Sequence, residues 1–161
     1  MFVRWLLVLV CWTAVNIGGS WEALASDNFP GTTISGTSGS ITGNTTTPLA
    51  SGQAGEPVTF GGGNLNTFWY SWTAPATGSV TFETCGVTQT TFDTTLQSFT
   101  GSAVNALTTL ASNDDTTGCP VVVNPNYGSR NIFNVTSGII YRIQVDGYGN
   151  ATGTFRLSWS L

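Results

Sequence analysis

Carboxylate and amide side chains are the groups in this sequence best suited to chemistry. The candidates lie in or next to stretches rich in turn-forming residues: Asp93, Asn113, Asp114, Asp115 and Asp146, with Glu56 and Glu83 as weaker members. Calcium takes about six to eight oxygen ligands of this kind, whereas zinc and copper prefer His or thiolate ligands. We therefore expect some of these residues to hold one Ca²⁺, with backbone carbonyls or water completing the shell.

Groups that commonly perform catalysis are scarce. The chain contains no His and no Lys, so a Ser or Thr nucleophile has no basic partner to activate it. A pair of carboxylates could still act as the acid and base of a small glycosidase, and this alternative stays open. A small domain with few acids has no evident substrate cleft, so we predict that the protein is not an enzyme. The formal net charge of −4 also argues against a nucleic-acid partner.

Two aromatic residues are candidates for binding a carbohydrate ligand. The rings of Trp69 and Tyr148 could stack on sugar rings. The alternative for Trp69 is ordinary packing on the face of its strand that points away from the core. The sequence favours neither reading, so both residues remain candidates.

The first 25 residues have the pattern of a secretory signal peptide. Arg4 gives a positive start, residues 5–15 form an apolar run, and residues 23–25 fit a cleavage site. The apolar run is shorter than the roughly 20 residues that a spanning helix needs. We predict cleavage after Ala25, secretion of residues 26–161 as a single extracellular domain, and no membrane span thereafter. Retention of the leader as an anchor is the alternative.

The cysteines point to one disulfide. Cleavage of the leader would remove Cys11 and leave Cys85 and Cys119. Export to an oxidising compartment favours their pairing, which would close a loop of about 35 residues. A thiolate metal site is the alternative, but two Cys without His make a poor zinc site. We therefore predict a bridge between Cys85 and Cys119.

Alternation of apolar and polar residues with a period of two indicates short, half-buried strands. Turn-rich stretches separate ten predicted strands at 32–35, 40–42, 57–60, 66–73, 78–84, 92–99, 104–111, 130–136, 139–145 and 153–160. We predict an all-β fold, an antiparallel β-sandwich with jelly-roll character and about eight to ten short strands. A closed barrel is the alternative. The side chains expected to face the core are Tyr70, Trp72, Phe82, Leu96, Ile143, Val145, Phe155 and Leu157.

The strand order also predicts where the acids gather. Successive antiparallel strands reverse direction, so strands 78–84, 104–111 and 139–145 should end where strand 92–99 begins. Six acids fall at that end of the sandwich: Glu56, Glu83, Asp93, Asp114, Asp115 and Asp146. Carboxylates brought so close repel one another and favour a bound cation.

Several motifs, taken in order, resemble the bacterial pre-peptidase C-terminal domain family. They are FWYSWTAP at 68–75, FDTTL at 92–96 with Thr100-Gly101 after it, NDD at 113–115, and VDGY at 145–148 with GTF at 153–155. The resemblance covers essentially all of the chain after the leader. It implies a β-sandwich that accompanies exported enzymes without being catalytic itself, and several members bind calcium or an extracellular polymer.

These observations favour a secreted, non-catalytic module stabilised by calcium, whose ligand is an extracellular polymer or a cell surface. A structural subunit of an extracellular fibre or matrix is the second hypothesis. In that case the Thr- and Gly-rich segment 32–47 would self-associate by pairing with a neighbour's sheet edge. The small carboxylate-dependent glycosidase is the third.

Overall fold

The computed structural model describes residues 27–46, 50–62 and 66–161. The predicted signal peptide at 1–25 lies outside these residues. In the described part of the chain, no helix is long and apolar enough to cross a membrane. Strands dominate this part, which confirms the predicted all-β class.

In the described part of the chain, nine strands form two sheets that pack face to face. The strands are β1 (Thr32–Ile34), β2 (Ser38–Asn44), β3 (Phe68–Thr73), β4 (Gly78–Glu83), β5 (Thr94–Thr100), β6 (Thr108–Asn113), β7 (Arg130–Val135), β8 (Ile140–Gly147) and β9 (Thr154–Ser160). One sheet has the order β1-β3-β8-β5-β6 and the other the order β2-β9-β4-β7. All pairs are antiparallel except β1 with β3, which are parallel. The predicted sandwich and its strand number are therefore confirmed.

The core between the sheets consists of the side chains that the alternating pattern sends inward. All eight residues predicted to face the core are fully buried there. Aromatic rings fill much of this space, and Phe155 makes edge-to-face contacts with Phe68 and Tyr70, at centroid distances of 5.7 and 6.4 Å. Such contacts add to the free energy of burial because the ring edge and the ring face carry opposite partial charges.

A second buried layer covers the outer face of the five-stranded sheet, which the sequence did not predict. Residues 27–31 and 51–60 lie over β3, β5 and β8 and bury the side chains of opposite parity, including Trp69 and Gln144. Phe29 and Phe99 contact the Trp69 ring at 5.3 and 5.7 Å between centroids. The strands β3, β5 and β8 are consequently buried on both faces of their sheet.

Two predicted strands differ from the structure. Residues 57–60 form no strand; Pro57 has no backbone N–H to donate, and a 3₁₀ turn occupies Phe60–Gly62. The predicted strand 104–111 begins later, as β6 at Thr108, because the chain turns between Gly101 (φ 133°) and Ala106. These shifts leave the strand ends that carry the acids near their predicted places.

Candidate cation site at one end of the sandwich

The antiparallel pairing of β5 with β6 brings three acids to one end of the sandwich. Asp93 directly precedes β5, whereas Asp114 and Asp115 directly follow β6, and Leu96 is paired with Asn113 across the two strands. Cys85 and Cys119 are joined by a disulfide, with Cα atoms 4.8 Å apart. This bridge ties the segment after β4 to the loop that follows the two Asp residues.

The three carboxylates form a cluster that we call the acid triad, Asp93, Asp114 and Asp115. One oxygen of each lies within 4.8 Å of the oxygens of the other two. Asp93 and Asp114 are half-buried, and the Oδ1 atom of each is buried without a hydrogen-bond partner. Asp115 is exposed. Buried polar atoms are normally hydrogen-bonded in folded proteins, so these two oxygens are unusual among the buried polar atoms of the described residues.

Burial and mutual repulsion disfavour the charged forms of the triad. The pKa of Asp93 is raised from 3.8 to about 6, first by burial and then by the charges of Asp114 and Asp115. Burial also raises the pKa of Asp114, and the charge of Asp115 adds to this effect. A cation between the carboxylates would oppose both effects and lower these pKa values, because an opposite charge favours the ionised form.

Hydrogen bonds from neighbouring elements hold the triad in place. The Oγ atom of Ser129 lies 2.5 Å from the carbonyl oxygens of both Thr94 and Asp114, and it can donate its single proton to either, at the place where the start of β5 meets the end of β6. Ser129 is fully buried. Neither its spacing nor its surroundings in the sequence distinguished it from the other Ser residues, so sequence reasoning missed it.

Asn113, a predicted ligand, organises the turn instead. Its Oδ1 accepts hydrogen bonds from the Arg130 backbone N–H at 2.9 Å and from Thr116 Oγ1 at 2.7 Å. Its Nδ2 donates to the Asp115 carbonyl at 3.3 Å. An amide oxygen with two donors already bound has little capacity left for a metal, and this corrects its predicted role.

The cationic group nearest in sequence to this turn is already engaged. Arg130 Nε donates to Glu83 Oε2 at 2.8 Å, and this is the salt bridge found among the described residues. Arg130 therefore pairs with Glu83, and its charge is not directed to the triad.

Asp146 lies at the predicted end of the sandwich but is not part of the group that the three carboxylates form. The residue before it, Val145, faces the core, so the alternation of β8 turns Asp146 into the outer buried layer. It is 1% exposed, and its Oδ atoms accept hydrogen bonds from Thr59 Oγ1 at 3.0 Å and from the Gly147 N–H at 2.8 Å. Burial raises its pKa. The predicted grouping of Asp146 with the triad is wrong.

Glu56 is held in the same outer layer. It is 8% exposed and accepts hydrogen bonds from Trp69 Nε1 at 2.6 Å and from Thr67 Oγ1 at 2.9 Å. Burial raises its pKa, while the bonds from Trp69 and Thr67 oppose the rise. The cluster shows why the outer layer forms: Glu56 fastens the covering segment to β3.

The two candidate ligand-binding aromatics behave differently. Trp69 is completely buried between Phe29 and Phe99, so no sugar ring can reach it, and of its two readings the structure has the packing one. Tyr148 is 48% exposed, and its backbone N–H donates to the Asp93 carbonyl at 3.1 Å. The backbone of this exposed tyrosine is therefore joined to the backbone of Asp93, one residue of the acid triad.

Comparison with known proteins finds similarity to solved structures. No family profile matches the sequence, and no curated protein matches it. Among solved structures, the chain is similar to the pre-peptidase C-terminal domain of collagenase from Bacillus anthracis, with 16% sequence identity and a TM-score of 0.47. The match covers 80% of this chain and 93% of that domain. The solved domain carries the family description that the sequence motifs resemble, but no residue role transfers at this level of identity.

Proposed function

We propose that this protein is a non-catalytic module whose fold Ca²⁺ stabilises at the acid triad. The observation that carries the proposal is the pair of buried Oδ1 atoms on Asp93 and Asp114, which have no hydrogen-bond partner and lie in a group of three carboxylates. A cation supplies the partner that these oxygens lack, and its charge opposes the burial and the repulsion that together raise the pKa of Asp93.

The chemistry of the triad suits calcium better than other metals. All three side chains offer oxygen, which hard cations prefer. Asp93 and Asp114 come from two different strand ends and Asp115 is exposed, so the site can adapt to the variable geometry that calcium accepts and magnesium does not. Cys85 and Cys119 are bonded to each other, which removes both as ligands for a softer metal.

We assign the ligand-binding role to the surface around Tyr148, with an extracellular polymer or a cell-surface glycan as the ligand. Two facts support this assignment: the ring is 48% exposed, and the backbone of Tyr148 bonds to Asp93. A half-exposed aromatic ring can stack on a sugar ring while a bound cation keeps the adjoining backbone ordered. In this proposal the metal acts by positioning, and takes part in no reaction.

Export belongs to the same proposal. It is supported by the apolar leader ending at Ala25 and by the Cys85–Cys119 disulfide, because such bonds persist in oxidising compartments. Two observations on the described residues disfavour the glycosidase alternative, which needs an acid and a base that a substrate can reach. Glu56 and Asp146 are buried and accept hydrogen bonds from Trp69 and Thr59.

Metal analysis and ligand capture test the two halves separately. We expect the purified protein to contain about one calcium per chain, as a single triad binds a single ion. Capture on immobilised polysaccharides should fall for Tyr148→Ala and persist for Tyr127→Ala, a matched change in a less exposed tyrosine. Calcium-free protein would contradict the metal site, and equal capture by both variants would contradict the role of Tyr148.

A further inference from the structure

We propose that two copies of this chain associate through the free edge of β2, in antiparallel register with the two-fold axis at Ile41. β2 is the outermost strand of the four-stranded sheet, and among the described residues it pairs with β9 alone. It is seven residues long and contains no charged residue and no proline. A long, uncharged edge of this kind is a template for pairing with another strand.

The backbone hydrogen bonds show which residues present free groups at this edge. Bonds from Leu161 N–H to the Thr37 carbonyl and from Thr45 N–H to the Gly153 carbonyl bracket β2. Because an antiparallel ladder alternates, the odd-numbered residues of β2 bond to β9. The even-numbered residues therefore direct their N–H and C=O groups to the open edge: Ser38, Ser40, Thr42 and Asn44.

The sequence of β2 is nearly symmetric about its centre. Reading outward from Ile41, the strand has Ser40 and Thr42, then two glycines, then the polar Ser38 and Asn44. Antiparallel pairing about Ile41 places Ser40 opposite Thr42 of the second copy, and both belong to the set with free backbone groups. The register thus forms about eight new backbone hydrogen bonds and pairs hydroxyl side chains with hydroxyl side chains.

The two glycines of β2 leave space for aromatic rings on the core side of the sheet. A Cβ atom at Gly39 would lie 2.4 Å from the Trp159 ring, and one at Gly43 would lie 2.4 Å from the Phe155 ring. Ile41 is the one side chain that β2 turns toward the core, and it is only partly buried. Pairing about the two-fold would cover Ile41 with its own copy and extend the apolar layer across the interface.

The other edge strands are shorter or already engaged. β7 starts at Arg130, and its Asn131 side chain donates to the Ala111 carbonyl of β6, so the edges of the two sheets are joined on that side. β1 is only three residues long. β2 therefore combines length, absence of charge and internal symmetry, and these features fit a second copy of the same strand better than a ligand of different sequence.

The oligomeric state of the purified protein tests the pairing. Sedimentation equilibrium should show a concentration-dependent dimer, and Thr42→Pro should raise its dissociation constant by about tenfold or more. The N–H of Thr42 points to the free edge, so this proline removes no bond to β9; a circular dichroism spectrum and melting curve establish that the variant folds. A protein that stays monomeric up to about 1 mM would overturn the proposal.

Engineered cysteines test the register without relying on the proline variant. In the proposed pairing the two copies of residue 41 face each other with Cα atoms about 4.5 Å apart, within the range that a disulfide spans. The two copies of residue 42 lie on a diagonal of about 7–8 Å, too far to bridge. Ile41→Cys should therefore form a covalent dimer and the more exposed Thr42→Cys should not. A dimer that links through residue 42, or through neither residue, would overturn the proposal.

Discussion

The carboxylates of Asp93 and Asp114 approach each other within 4.8 Å although 20 residues separate them along the chain. Their meeting follows from the antiparallel pairing of β5 with β6, which puts the start of one strand beside the end of the other. Each contributes a buried oxygen without a partner. The proposed calcium site depends on the closeness of these two carboxylates.

The pH dependence of stability should show that folding disfavours the ionised form of Asp93. In the absence of calcium, folded Asp93 binds its proton more tightly than the unfolded chain does, with a pKa of about 6 against 3.8. The free energy of unfolding should therefore decrease as the pH rises from about 4 to about 6. Urea titrations in EGTA at several pH values measure this slope.

The control for that experiment is a pair of matched substitutions. Asp93→Asn should flatten the slope, whereas Asp27→Asn, which changes an acid outside the triad, should leave it. Some slope will remain in both, because the pKa values of Glu56, Asp114 and Asp146 are raised as well. Identical slopes for the two variants would mean that Asp93 does not titrate as described.

The bond between Glu56 and Trp69 should be needed to hold the outer layer on its sheet. Glu56→Ala leaves the buried N–H of Trp69 without its acceptor, whereas the hydroxyl of Thr67 keeps the Ser51 carbonyl at 3.0 Å, and the cost should be about 1–3 kcal/mol. Glu56→Gln keeps an oxygen at the same place and removes a buried charge, so its cost should be much smaller. Urea denaturation measures both, and equal costs would contradict this role of the hydrogen bond.

Substitutions at Phe82 and Thr95 should separate the core from the outer layer. Phe82→Ala leaves a cavity between the sheets and should cost about 3–5 kcal/mol in unfolding free energy. Thr95→Val preserves the side-chain shape and removes a buried hydroxyl that has no hydrogen-bond partner, so it should be neutral or stabilising. A loss of more than about 1 kcal/mol at Thr95→Val would show that the hydroxyl is satisfied.

The disulfide should contribute to stability mainly by restricting the unfolded chain. It spans 34 residues of sequence, for which the loop-closure estimate is about 3–4 kcal/mol. Replacing both Cys85 and Cys119 with Ala should lower the free energy of unfolding by that order. Mass spectrometry provides the direct check: two alkylatable thiols in the native protein would show that the bridge is absent.

The sequence predicted the features that depend on local pattern. Alternation with a period of two located the strands and the residues facing the core, such as Tyr70 and Leu157, because side chains on a strand point to opposite faces in turn. Reversal of successive strands then predicted that Asp93 and Asp114 share one end. Both inferences need only the order of the strands along the chain.

What the sequence did not reveal depends on which segment covers which face. The polar and aromatic residues of opposite parity on β3 and β8 were expected at a surface, but residues 51–60 cover them, so Trp69 and Asp146 are buried. No pattern in residues 51–60 indicates where that segment folds back. The roles of Asn113 and Ser129 in holding the turn were hidden for the same reason, since their partners lie on other strands.

The melting temperature with and without calcium tests the central claim most directly. Free Ca²⁺ at about 100 times its dissociation constant adds about 2.7 kcal/mol to the free energy of unfolding, which corresponds to roughly 10 °C for a domain of this size. EGTA should lower the melting temperature, calcium should restore it, Asp114→Asn should abolish most of the response, and Asp27→Asn should retain it. A melting temperature that neither EGTA nor calcium moves, in protein that carries no calcium as purified, would contradict the account.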